Sequence, residues 1–181
     1  MRRTEGMIDL TLDYHAHVLP GCDHGSDGVE TSRKQLAMAA AAGIRTVCAT
    51  PHFYPHKESI PSFLQRRAES AQLLCESLTA EAPQLREPWL SAAGLALEQE
   101  KWSGALYFAE RALEIPARSR SYLNEPESWG ARPYDLAALA AYYMGLYATA
   151  LSYGREALAQ EPENGRLRKN LEFYEAAAAK M

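Results

Sequence analysis

No histidine occurs after His56 in a chain of 181 residues. Imidazole is the commonest metal ligand and the usual acid or base near neutral pH, so the chemistry is expected in the first third. Cysteine is scarce too. Cys22, Cys48 and Cys75 are odd in number and form no Cys-x-x-Cys, which argues against a disulfide framework and for free thiols in a reducing compartment. No Lys/Arg-rich run is present and the net charge is −4, so no nucleic-acid partner is expected. Residues 1–68 hold 8 Lys/Arg against 7 Asp/Glu, and the remainder 11 against 16; the acidity lies in the C-terminal part. Long apolar runs are missing as well. The alanine-rich stretches are too short and too interrupted to span a bilayer. No apolar core follows Arg2-Arg3, so the expectation is no signal peptide and a cytoplasmic protein.

What is present is a 47% hydrophobic chain, enough to bury a core, with two kinds of pattern. Residues 7–14 alternate apolar and polar, as a short strand does. After the Pro20-Gly21 turn, Asp27 is placed to cap a helix, with Glu30 three residues on as in a capping box. Gly43 is placed to end that helix. Residues 44–50, Ile-Arg-Thr-Val-Cys-Ala-Thr, predict a second, buried strand stopped by Pro51. Strand, helix and strand make one parallel crossover unit. No convincing third β-rich run follows, although a parallel sheet usually has several strands with both faces covered. Residues 62–82 predict an amphipathic helix, and Pro83 and Pro88 mark a junction.

The C-terminal part repeats itself. A shift of 45 residues superposes Trp89 on Tyr134, Trp102 on Tyr147, Ala105 on Ala150, Phe108 on Tyr153, and Ala112-Leu113 on Ala157-Leu158. This spacing resembles the tetratricopeptide repeat, whose paired helices place small residues where they cross. The usual period is about 34 residues, so the excess is assigned to an insertion at Pro116–Arg132. Residues 166–179 are expected to add a closing helix.

Residues i and i+2 of a strand share a face, so His15 and His17 can converge on one ion. The loop adds Asp23 and His24, and Thr50-Pro51-His52 adds an imidazole where the second strand ends. Parallel neighbours end on the same side, which puts three or four donors at one sheet edge, where α/β proteins build their sites. His56 lies further along the loop and is expected at the surface. Cys22 and Cys48 are expected to be small packing residues.

The segments Asp13-Tyr14-His15-Ala16-His17-Val18-Leu19-Pro20-Gly21, Asp23-His24-Gly25 and Ala49-Thr50-Pro51-His52-Phe53-Tyr54 resemble the start of the PHP-type, metal-dependent protein-tyrosine phosphatases of bacterial capsule and exopolysaccharide operons. The resemblance covers about residues 7–68. It implies a metal cluster (manganese first, with iron or zinc as alternatives) in which His15 and His17 bind one metal, and Asp23 or His24 binds a neighbour with His52. It also implies hydrolysis of phosphotyrosine or another phosphomonoester, the cations offsetting charge on the phosphoryl oxygens. Many members of that family carry Asp-Asp-Gly where this chain has Asp23-His24-Gly25, so either residue is a candidate ligand. The family's later strands supply further Glu and His ligands that have no counterpart after His56. One metal on His15, His17, His52 and Asp23, and a vestigial site, both stay open.

A second resemblance covers about residues 86–179. Ser121-Tyr122-Leu123-Asn124-Glu125-Pro126-Glu127-Ser128-Trp129-Gly130, the stretch from Pro133 to Tyr142, and Asn170-Leu171-Glu172-Phe173-Tyr174 are similar to the tetratricopeptide tail of some bacterial family-2 glycosyltransferases. This implies helical repeats without the catalytic domain. Tyr122, Asn124, Glu125 and Trp129, in the atypical insertion, are the candidates for binding a protein or peptide partner. The expected fold is therefore mainly α with a small N-terminal βαβ unit. A PHP-like segment at 1–68 and a junction at 69–85 lead into tetratricopeptide-like repeats at 86–181. The expected function is a metal-binding, phosphatase-derived protein of surface-polysaccharide biosynthesis, weak or inactive alone. The alternative is a non-catalytic repeat scaffold with a vestigial metal site.

Overall fold

The computed structural model describes residues 11–118 and 125–180. It is mainly helical, with a two-stranded parallel sheet near the N-terminus. The chain divides into two compact units between Leu74 and Cys75.

In the first unit, strand β1 is Leu12–Ala16, helix α1 Val29–Ala41 and strand β2 Thr46–Ala49. Leu12 pairs with Thr46, Asp13 with Val47 and Ala16 with Ala49, with an irregularity between Asp13 and Ala16. Thr50 N–H closes the ladder on the Ala16 carbonyl at 2.9 Å. β1 therefore extends through His15, beyond the expected end at residue 14, while residues 7–10 lie outside the described residues. β2 is not the buried strand that its composition suggested: Thr46 and Ala49 are exposed, and Val47 and Cys48 only half-buried. Among the described residues the sheet has two strands, too few to enclose either of them.

Helix α1 also departs from expectation at its start. Gly28 occupies the N-cap without a side-chain cap bond, and the Asp27 carboxylate instead accepts a hydrogen bond from the Thr31 hydroxyl. Glu30 faces Arg33 and Lys34 on the helix surface and does not complete a capping box. Its end matches the sequence. Gly43 has φ +90°, and Ile44 N–H bonds to the Ala39 carbonyl at 3.0 Å; that left-handed closure is one glycine adopts without Cβ strain.

Helix α2, Ile60–Glu81, spans the division between the units. The second unit continues with α3 (Arg86–Glu98), α4 (Trp102–Leu113), a short 3₁₀ turn (Pro126–Trp129), α5 (Arg132–Tyr143), α6 (Tyr147–Gln160) and α7 (Gly165–Ala178). Each helix packs on the next from α3 to α7. The sequence period reappears here. A shift of 45 residues carries α3 onto α5 and α4 onto α6, and it also carries one inter-helix turn onto the other. Lys101 N–H bonds to the Ala96 carbonyl at 2.8 Å, and Leu146 N–H to the Ala141 carbonyl at 2.9 Å. Glu100 and Gly145 both take positive φ, 58° and 76°. These are equivalent Schellman closures.

The core of this unit is built from alanine. Ala93, Ala105, Ala109, Ala137, Ala140, Ala141 and Ala150 are fully buried. Small side chains let helix axes approach closely, so ridges of one helix enter grooves of the next. Leu97, Phe108, Tyr142, Tyr153 and Leu171 pack around them. At Gly154 even a methyl group would be too much, since an added Cβ would lie 2.6 Å from Tyr174 Cδ2. Helix α7 is capped by Asn164, whose side chain accepts the N–H groups of Arg166 and Leu167 at 3.1 and 3.3 Å. Arg166 ties α7 to α5 through a two-bond pair with Asp135, at 3.1 and 2.7 Å.

Candidate metal centre

The loop from Val18 to Gly28 carries Asp23 and His24, and polar side chains hold it in place. Val18 and Leu19 bury their apolar side chains beneath it. The Ser26 and Ser32 hydroxyls meet at 2.7 Å inside the first unit, both fully buried. Gln35 donates to the Gly25 carbonyl at 2.9 Å, and Ser70 donates to the Pro20 carbonyl at 2.9 Å. Gly25 itself is forced by space, because a Cβ there would fall inside the His17 side chain. A loop with many internal hydrogen bonds can place a side chain as reproducibly as a helix does.

Five imidazoles and one carboxylate can now be placed. His15 is on β1 and His17 one residue beyond it; their Nε2 atoms are 3.2 Å apart. His17 also faces His24 and His52, with ring centroids 4.9 and 4.7 Å away, and His24 lies over His52 at 5.1 Å. His17, His24 and His52 each offer one nitrogen within 4.8 Å of the others. His15 contacts the group through His17 alone. His56 stands outside it, 6.1 Å from the Tyr54 ring.

Asp23, another of the candidate ligands, is hydrogen-bonded on both carboxylate oxygens. Its carboxylate is 1% exposed. Oδ2 accepts from His17 Nδ1 at 2.6 Å and from His52 N–H at 2.9 Å, while Oδ1 accepts from Gly25 N–H at 2.9 Å. Burial alone would raise the pKa of Asp23. The bonds from His17, Gly25 and His52, with the charge attraction of His17, outweigh it and bring the pKa down to about 2. The carboxylate is ionised at neutral pH and accepts the Nδ1 proton of His17, which turns the far side of that ring towards the other imidazoles.

Hydrogen-bonding contacts link these groups in a chain. The Thr50 hydroxyl meets His15 Nδ1 at 2.9 Å, His15 Nε2 meets His17 Nε2 at 3.2 Å, and His17 Nδ1–H donates to Asp23. The Tyr54 hydroxyl lies 3.4 Å from His24 Nδ1. Thr50, Tyr54 and Gly25 thus join the candidate residues. Only the position of Thr50 at the strand end hinted at this in the sequence.

The four insertion residues fall differently. Tyr122 and Asn124 lie outside the described residues. Trp129 is half-buried, with the Arg86 guanidinium 4.0 Å from its ring centroid, and its indole N–H points to Glu87 Oε1 at 3.4 Å. Glu125 is exposed; its backbone N–H bonds to the same Glu87 oxygen at 3.1 Å.

The polar cluster at the edge of a small parallel sheet coincides with a likeness to known proteins. Residues 11–87 match the model of a family described as capsular polysaccharide synthesis, CpsB/CapC. The matched stretch is under half of the chain and contains β1, α1, β2, α2 and the whole cluster. No curated protein and no solved structure matches the chain. No helix among the described residues is long and apolar enough to cross a membrane.

Proposed function

We propose that the first unit binds one divalent cation through His17, His24 and His52 and that this centre serves phosphomonoester hydrolysis, phosphotyrosine included. The capsular-polysaccharide likeness of residues 11–87 supports a setting in surface-polysaccharide synthesis. The second unit acts as a tetratricopeptide-like module for a protein or peptide partner. The convergence of three imidazoles, one of them oriented by a buried carboxylate, carries this reading.

The donors fit a cation in kind and nearly in spacing. Metal–nitrogen bonds of about 2.1 Å allow donors to stand at most about 4.2 Å apart, so the widest pair must close by small ring rotations. Of manganese, iron and zinc, an all-imidazole set suits iron and zinc; manganese would draw on a carboxylate, and Asp23 would have to turn for it. A cation at this place supplies Lewis-acid polarisation of a phosphoryl oxygen. The chain's own groups do the rest: Asp23 holds His17, Thr50 positions His15, and His15 stands ready to give or take a proton at Nε2. Three ligands leave coordination positions free for substrate and water, as catalytic sites require.

The test is metal content and p-nitrophenyl phosphate hydrolysis of protein loaded separately with Mn(II), Fe(II) and Zn(II). One equivalent retained by the native chain, lost in His17→Ala together with hydrolysis, is the expected result. Retention of no metal by the native chain refutes the reading.

The matching 45-residue hairpins favour a second reading, a repeat scaffold in which the histidines bear no ion. It expects partner binding by the full chain to be unchanged in a His17→Ala, His52→Ala double variant.

A further inference from the structure

Two adjoining hollows in the second unit share a wall made by Tyr142 on α5 and Phe173 on α7. The first, of about 270 Å³, is lined by Leu139, Tyr142, Tyr143, Asn170, Phe173 and Tyr174. None of these side chains is charged. The second, of about 390 Å³, adds Tyr147 and Lys180. Around them the rings form a continuous set. Trp102 stacks on Tyr143 with centroids 4.4 Å apart, and Tyr142 touches Tyr143, Tyr147 and Tyr174 at 5.7, 5.6 and 5.4 Å.

Packing alone does not account for this face. Tyr143 and Phe173 are 57% and 52% exposed, although large apolar rings usually turn inward and clustered exposed ones mark binding sites. Tyr174 is the reverse case. It is 2% exposed, and its hydroxyl has no hydrogen-bond partner among the described residues, a cost that native structures rarely leave unexplained.

We propose that these hollows bind a saccharide chain, one pyranose ring in each, against the Tyr142–Phe173 wall. A pyranose presents an apolar C–H face and a rim of hydroxyls. Aromatic rings match the face, while the Asn170 amide and the hydroxyl of the exposed Tyr143 match the rim. The lack of charge in the first hollow disfavours an ionic side chain or a phosphate as its main occupant. Two like hollows sharing one wall fit consecutive like units of a polymer. Lys180 gives the second hollow the means to accept a carboxylated sugar. The proposal stands apart from the metal reading and does not require it.

The experiment uses the full chain with defined neutral and uronic-acid oligosaccharides of one to six rings, read by saturation-transfer NMR and tyrosine fluorescence. A decaproline peptide, the other ligand aromatic grooves take, serves as competitor. Affinity on the order of millimolar is expected for a single ring, tightening with chain length up to two or three rings. Phe173→Ala and Asn170→Ala are each expected to weaken binding by about tenfold or more, with melting temperature and helix content unchanged. Tyr107→Ala, an exposed tyrosine outside the hollows, leaves binding as it was. Should Phe173→Ala unfold, Asn170→Ala and Tyr143→Ala decide. Absence of binding by every oligosaccharide, binding that survives these substitutions, or displacement by decaproline at lower concentration than any sugar overturns the proposal.

Discussion

The two units of this chain are held together by different means. The second is packed by volume: fully buried alanines set the helix spacing, and Gly154 leaves room for the Tyr174 ring. The first has a half-exposed sheet and a helix whose Met38 is 72% exposed. Its order comes from the Ser26–Ser32 pair, the Gln35 and Ser70 bonds to the loop, and the three bonds to Asp23. A packed core tolerates exchange among polar surface residues. A polar network fails when one member is left unpaired, because a buried group without its partner costs its whole desolvation. Close packing and polar bonding thus dominate in different parts of one chain.

Substitutions that attack volume in one unit and polarity in the other should separate the two. The largest stability loss is expected at Leu90, which is 1% exposed. Leu90→Ala should lower the stability of the second unit by about 3 kcal/mol in a denaturant titration followed by helix content. Asp23→Ala comes next, leaving His17 Nδ1 and the N–H groups of Gly25 and His52 unpaired. It should reduce metal affinity by roughly 10–100-fold by calorimetry, with helix content retained.

The third contrast is acid sensitivity in metal-free protein. The folded pKa of Asp23 is about 2, below the value of about 3.9 for an unstructured aspartate. A depressed pKa gives stability that is fully present above about pH 4 and is lost as pH falls towards 2. The Asp23 carboxyl carbon should titrate near pH 2 by NMR; a midpoint near 4 would remove its role as brace. The smallest effects belong to the repeat turns. Glu100→Gly should stabilise by about 0.5–1 kcal/mol, because Glu100 bears a left-handed φ that glycine takes freely. Gly145→Glu should destabilise by about as much.

Much of the fold was legible in the sequence because it is local or periodic. Gly43 announced the end of α1, residues 62–82 announced α2 within two residues, and the 45-residue shift located both helix pairs. The errors came where neighbours decide. Asp27 had the right identity for a cap, but Thr31 took its carboxylate. β2 had the composition of a buried strand, but the described residues cover it only in part. Glu100 carries no turn signature; only its repeat partner Gly145 hints at it. At the centre, spacing brought the histidines to one edge but did not show which groups the Asp23 carboxylate would bond. Asp23 and His24 are adjacent in sequence, yet one points beneath His17 and the other stands beside it, an outcome fixed by bonds from Gly25 and His52 across the loop.

The most direct test of the central claim is an imidazole ¹H–¹⁵N NMR spectrum recorded while Zn(II) is added to the full chain. Saturation at one equivalent is expected, with the His17, His24 and His52 ring nitrogens shifting together, the His15 Nε2 signal changing as its neighbour His17 binds the ion, and His56 unmoved. Zinc that adds without saturation, or that shifts all five histidines alike, would contradict a centre built on those three rings.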